Sequence, residues 1–259
     1  MQKIEIRTVE VTRYITPLRE GGSLPAIVQA DDGFKYVLKF RGAGQGTKAL
    51  TAELIGGLLA KEIGLKVPEI VLMQLDDSFG KTEPDEEIQD LLNFSTGINL
   101  GLHFLSGAIT YDPLVSDTDA LSASKTVLLD SMIINIDRTA KNTNLLIWNQ
   151  ELWLIDHGAS LYFHHNWKSR ESHLTRTFPS IKDHVLLAKA DKLPEAAAEI
   201  KAALNAEKIT EIVALIPDDW LDDAAADLTK EEMRAAYIAF LCSKLDKIDL
   251  LAKEAADAK

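Results

Sequence analysis

The stretch Asn135–Gly158, NIDRTAKNTNLLIWNQELWLIDHG, spaces an aspartate, an asparagine and a second aspartate as Asp137, Asn142 and Asp156. Leu145–Trp148 and Leu152–Asp156 are apolar runs separated by Asn149, Gln150 and Glu151, which predicts a hairpin that folds Asp156 back beside Asn142. Oxygen-bearing side chains in this order suit phosphoryl transfer. The charge of a polyphosphate has to be neutralised by hard cations, which take oxygen ligands, and the attacking hydroxyl has to be held in line with the bond that breaks. In such a site Asp137 accepts the hydroxyl proton, Asn142 offers its side-chain carbonyl to a metal, and Asp156 holds the ion that bridges the phosphates. Taken singly, these residues are ordinary turn and cap formers, and Asp137-Arg138 reads as a solvated pair on a surface loop. Their meaning depends on the rest of the chain.

Upstream, Leu24–Gln29 and Tyr36–Phe40 flank the turn signal Asp31-Asp32-Gly33, which predicts an antiparallel hairpin. Gly21, Gly22 and Ser23 precede it, where glycine lets main-chain N–H groups approach a polyphosphate and serine adds a hydroxyl donor. Lys39 ends the second strand. The next helix, read as Thr51–Ile63, carries Leu54, Ile55, Leu58, Leu59 and Ile63 at helical spacing, with Glu53 on a face continued by the small residues Gly57 and Ala60. That face lies close to a neighbouring sheet and points Glu53 inward, towards a lysine reaching from a strand. Ile70–Leu75 and Ile98–Leu105 read as further strands, separated by an acidic insertion around Glu83–Glu87.

Beyond Gly107 the pattern turns helical. A helix over Ser122–Ile134 delivers the chain into the Asp137 loop, others are expected near Ile181–Ala190, Pro194–Asn205 and Ile209–Ile216, and Thr229 with Glu232 forms a capping-box signature. Met233, Tyr237, Phe240, Leu241, Leu245 and Ile248 form a core stripe, with Cys242 as a small buried hydrophobe among them. Aromatic and basic residues from Tyr162 to Arg176 read either as an acceptor surface or as packing.

With 259 residues, 46 % of them hydrophobic, the chain can bury a sizeable core. Its net charge of −12 disfavours general nucleic-acid or anionic-membrane binding. Six histidines, with His164 and His165 adjacent and the other four scattered, and a single cysteine offer neither a structural zinc site nor a disulfide. The strand-like N-terminus lacks a targeting pattern and no apolar stretch reaches about 18 residues, so a cytoplasmic location is expected.

The order of these parts resembles the HipA-like kinases and, more distantly, the phosphatidylinositol kinases and protein kinases. The resemblance covers residues 20–165 and is carried by GFKYVLKF, AELIGGLLAKEIGLKVPE, NIDRTAKNTNLL and LWLIDHG. It implies a bilobal α+β fold: an N-terminal antiparallel sheet lobe with one key helix, over residues 1–106, and a mainly helical lobe over 107–259. It implies Asp137 as base, Asn142 and Asp156 as Mg²⁺ ligands, and Lys39, oriented by Glu53, on the phosphates of ATP beneath Gly21, Gly22 and Ser23. A protein serine or threonine is the acceptor it favours, with an antitoxin-like partner as a candidate. A small-molecule or lipid alcohol as acceptor, or a non-catalytic ATP-sensing module, are the alternatives. Two positions depart from the pattern: Thr139 stands where histidine commonly follows Asp-Arg, and His157 replaces the phenylalanine of Asp-Phe-Gly.

Overall fold

Gly33, at a φ of +82°, turns the chain between β2 (Ala26–Ala30) and β3 (Lys35–Lys39), and Asp32 Oδ1 accepts from Phe34 N at 3.0 Å to hold the turn. The two strands pair from Ala26–Leu38 to Gln29–Lys35, as the turn chemistry predicts. The computed structural model describes residues 4–18, 24–83, 85–223 and 226–259. β1 (Thr8–Pro17) alternates and buries Val9 and Val11. β4 (Ile70–Leu75) and β5 (Gly97–His103) complete a closed barrel in the order β1-β2-β3-β5-β4.

The closure corrects the expected antiparallel sheet. β1 and β4 run parallel, from Thr8–Leu72 to Glu10–Gln74, while every other barrel pairing is antiparallel. Closure removes both edges and turns the apolar faces onto one interior, where Val9, Val28, Tyr36, Leu38, Val71 and Met73 pack. Between β4 and β5 the acidic insertion forms two short helices, α2 (Ser78–Thr82) and α3 (Glu86–Phe94).

Helix α1 (Thr47–Glu62) begins four residues earlier than read and is buried continuously from Leu50 to Ala60. A helix apolar on every side has to be enclosed. Here it joins the helical core rather than the barrel interior. A Cβ on Gly57 would meet Ile70 Cδ1 at 2.5 Å, so this is the close approach to the sheet that the small face anticipates. The neighbouring Gly56 is tighter: a Cβ there would lie 2.6 Å from His157 Cβ and 2.9 Å from Cγ. Gly56→Ala should therefore destabilise the chain by about 1–3 kcal/mol from overpacking, despite the roughly 1 kcal/mol that alanine gains in a helix. Thermal unfolding measures the balance, and a raised midpoint would mean that His157 yields easily.

Both ends of α1 are tied to later parts of the chain. Thr47 Oγ1 donates to Trp220 O at 2.9 Å and Lys48 pairs with Asp223 at 2.8 Å, while Trp220 Nε1 donates to Ile98 O at 2.9 Å. At the other end Glu62 lies 3.5 Å from Lys208 Nζ, and Lys125 Nζ donates to Ile63 O at 3.0 Å.

A small sheet of β6 (Ile109–Thr110), β7 (Leu145–Trp148) and β8 (Glu151–Leu154) carries the predicted hairpin. Its turn is shorter than read, because Glu151 already pairs with Trp148 and leaves Asn149 and Gln150, at φ of 50° and 66°, as the turn residues. α4 (Ala120–Ile133) packs on α1, α6 (Leu193–Ala203), α8 (Lys230–Asp246) and α9 (Ile248–Asp257). α5 (Arg170–Leu174) packs on α8, and α7 (Ala206–Ala214) bridges α8 and α1.

No continuous helix spans Ile181–Ala190. Two 3₁₀ turns, Pro179–Asp183 and Leu187–Lys189, flank an extended His184 whose Nδ1 accepts from Leu186 N at 3.0 Å and competes with helical pairing. The capping box at Thr229 forms, with Glu232 N donating to Thr229 Oγ1 at 3.2 Å and Thr229 N to Glu232 Oε2 at 2.7 Å. The stripe from Met233 to Ile248 is buried, but the helix breaks at Lys247 and Cys242 is only half-buried. Among the described residues no helix is long and apolar enough to cross a membrane.

Candidate active site

Lys39 Nζ, at the end of β3, lies 2.8 Å from Glu53 Oε2 on α1 and 2.7 Å from Asp156 Oδ1 just past β8. Three elements remote in sequence thus meet at one ammonium group. Glu53 is buried, and its Oε2 also accepts from His157 N at 2.7 Å. Burial alone would raise the Glu53 carboxyl, but the Lys39 charge and the contact with His157 hold it well below the usual carboxylate range. Burial alone would lower Lys39; Asp156 and Glu53 outweigh it and raise the ammonium above its ordinary value. The Asp156 side chain is 45 % exposed against 2 % for Glu53, so one partner of the lysine is fixed and the other faces solvent. Asp156 takes a φ of 56°, a left-handed conformation that costs a residue with a Cβ about 1–3 kcal/mol and persists only where its surroundings enforce it.

Asp137 is half-buried on the loop after α4. Its Oδ2 accepts from Asn142 Nδ2 at 2.7 Å and from Asn144 Nδ2 at 3.2 Å, and its backbone N donates to Asn135 Oδ1 at 3.2 Å. With its amide nitrogen on Asp137, Asn142 has its side-chain carbonyl free for another partner. Ile155 N donates to Asn144 O at 3.1 Å, which couples the strand leading into Asp156 to the loop that carries Asn142.

Beneath the loop lies a buried polar cluster. Arg138 is 1 % exposed, which corrects the reading of Asp137-Arg138 as a solvated pair. Its Nε donates to Asp130 Oδ2 at 2.6 Å, and its Nη1 donates to Asn144 O and, at 3.2 Å, to Ile155 O. The fully buried Asp130 also accepts from Asn135 Nδ2 at 3.0 Å and pairs with His184 Nε2 at 2.9 Å. Burial would raise the Asp130 carboxyl, yet the Arg138 charge and the His184 contact hold it far below its ordinary value. One guanidinium therefore clamps the loop holding Asp137 and the strand end preceding Asp156 onto α4.

Of the residues singled out in the sequence, Lys39, Glu53 and Asp156 touch one another, and Asp137 touches Asn142. Gly21, Gly22 and Ser23 lie outside the described residues. Asn135, Asn144, Asp130 and His184 were not anticipated. A lone carboxylate inside the apolar run Val127–Ile133 is the signal that marks Asp130; His184 has none. Within the aromatic and basic stretch, Phe163, His164 and Trp167 are buried packing residues.

A barrel, one enclosed helix and a helical body meeting around a strand lysine define a kinase-like fold. Solved structures share it: a Helicobacter pylori proinflammatory kinase, CtkA, is 14 % identical, with a TM-score of 0.54, 96 % of this chain and 98 % of that one covered. The Golgi casein kinase with Mn/ADP bound is 10 % identical, with a TM-score of 0.56 and coverage of 96 % and 74 %. The sequence pattern of the HipA-like kinases matches residues 10–249, and the chain belongs to that family and is a kinase. No curated protein matches it.

Proposed function

We propose that this kinase transfers the terminal phosphoryl group of ATP, with Mg²⁺, to a serine or threonine hydroxyl of a protein. The observation that carries the reading is Lys39 Nζ held between Glu53 at 2.8 Å and Asp156 at 2.7 Å. In this reading Glu53 keeps its hold on the lysine, and Lys39 exchanges its exposed partner Asp156 for the nucleotide phosphates. Asp156 and Asn142 then offer carboxylate and amide oxygens, a hard donor set that fits Mg²⁺. Bound Mg²⁺ neutralises charge on the phosphates. Asp137, oriented by Asn142 and Asn144, takes the acceptor's proton, and Gly21, Gly22 and Ser23 cover the phosphates from the connection between β1 and β2. The cleft then separates a lobe of residues 1–106 from one of 107–259.

Asp156→Asn removes the charge that would meet the metal, and Mg²⁺-dependent ATP binding should weaken about tenfold or more, given that interactions with a charged group are worth roughly 1.5–3 kcal/mol. Calorimetry giving the same affinity as wild type would remove Asp156 from the metal site. The protein acceptor is the one that the resemblance to HipA-like kinases implies. Incubation with radiolabelled ATP and cell extract, followed by separation of protein from small molecules, tests it; label found only in small molecules would refute it.

A further inference from the structure

Lys39 is aligned through Glu53, so whatever fixes Glu53 also fixes the lysine. His157 approaches that carboxylate twice: its backbone N donates to Oε2 at 2.7 Å, and its imidazole Nδ1 lies 3.5 Å from Oε1. The residue is 1 % exposed, and among the described residues neither ring nitrogen has a hydrogen-bond partner at this separation. A buried polar group without a partner costs about 1–3 kcal/mol, a cost that an apolar ring of similar size would not incur. Gly56 permits the placement, because a Cβ there would lie 2.6 Å from His157 Cβ. The backbone of α1 presses the ring from one side while Glu53 stands at its polar edge.

We propose that His157 is a positioning residue for phosphotransfer, its imidazole Nδ1–H donating to Glu53 Oε1 once the two side chains close the remaining gap. A shortening of about 0.6 Å brings the pair to ordinary hydrogen-bond length. The carboxylate is then held at both oxygens, Oε2 by Lys39 and the His157 backbone and Oε1 by the imidazole, so it cannot rotate away from the lysine. No proton is transferred; the ring donates through Nδ1–H. This inference rests on the reading of Lys39 as the residue that contacts the ATP phosphates.

The test is steady-state kinetics against ATP for wild type and His157→Phe, each with Glu53 intact and with Glu53→Gln, and with Lys39→Met alongside. His157→Phe keeps the ring volume and should lower kcat/KM for ATP about tenfold when Glu53 is intact, the size expected for losing one hydrogen bond to a charged group. In the Glu53→Gln background it should add little. His157→Asn, which places an amide nitrogen near the position of Nδ1, should recover part of the loss relative to His157→Ala, and only when Glu53 is present. Wild-type kcat/KM in His157→Phe, or an equal loss in both backgrounds, would reduce His157 to a packing residue. Should His157→Phe fail to fold, equal kcat/KM for His157→Asn and His157→Ala would do the same. An unaffected kcat/KM in Lys39→Met would instead overturn the reading of Lys39 itself.

Discussion

Asp137→Ala is expected to lower the rate of phosphotransfer by about 10² to 10⁴, the range that a positioned general base supplies. The loss should fall on kcat more than on ATP affinity, because Asp137 hydrogen-bonds Asn142 and Asn144, while Lys39 pairs with Glu53 and Asp156. The fold should survive. Asp137 is only half-buried, and the amide of Asn142 is exposed, so water can replace the missing carboxylate. Single-turnover phosphotransfer and a thermal melt, run on the same preparation, separate the two effects. Wild-type turnover would exclude Asp137 as the base, whereas a collapsed melting transition would recast it as a structural residue.

Arg138→Ala should have the largest effect on stability, about 3–5 kcal/mol, the usual cost of removing one partner from a buried charge pair. Three groups each lose one donor together: the Asp130 carboxylate, left with Asn135 and His184, and the carbonyls of Asn144 and Ile155. Lysine cannot restore this pattern, since a single ammonium does not reproduce the guanidinium fork, and Arg138→Lys should recover little of the loss in urea unfolding. A change below about 1 kcal/mol, the scale of an exposed pair, would mean that the clamp is not coupled to folding.

Buried carboxylates in this cluster and beside Lys39 set the acid response. Asp130 and Glu53 both titrate below their ordinary values in the folded chain, so the unfolded chain binds more protons in acid. Their contribution is complete above the unfolded carboxylate range of about 4 and is lost as the pH falls below it. Lys39 is raised, so its contribution is complete below its unfolded value and declines only as alkaline pH exceeds it. Urea midpoints in wild type should decline gently as the pH falls through about 6.5, where His164, held well below its ordinary value by burial, takes a proton only in the unfolded chain, and should fall steeply below about pH 4. A flat acid limb would remove Asp130 and Glu53 as the groups responsible.

Much of this was legible because local chemistry decided it. The turn at Asp31-Asp32-Gly33, the strand Ile70–Leu75 and the Thr229 cap each follow from residues within a few positions of one another. The barrel closure was not legible, because β1 finds its parallel partner some sixty residues away and both strands read equally well in an open sheet. Lys39, Glu53 and Asp156 were findable from their spacing within separate segments, although only the folded chain brings them into contact. Asp130 and His184 were missed for another reason: a buried charge is tolerable only through partners 8 and 54 positions away, and residue type alone reports neither. The failed helix near Ile181–Ala190 is the other face of that error, since the side chain of His184 was committed elsewhere.

Helix α1, which presents Glu53, is fastened near its start to Trp220 and Asp223 and near its end to Lys208 and Lys125. Protein synthesis runs from the other direction. Lys39 and Glu53 leave the ribosome long before Lys208, Trp220 and Asp223 do, so a nascent chain carries this lysine–glutamate pair without the anchors that align its helix. Alignment of the pair then arrives late, when the last fifth of the polypeptide docks, and a single proteolytic cut between Ile216 and Asp223 is expected to lower phosphotransfer without touching Lys39, Glu53, Asp137, Asn142 or Asp156.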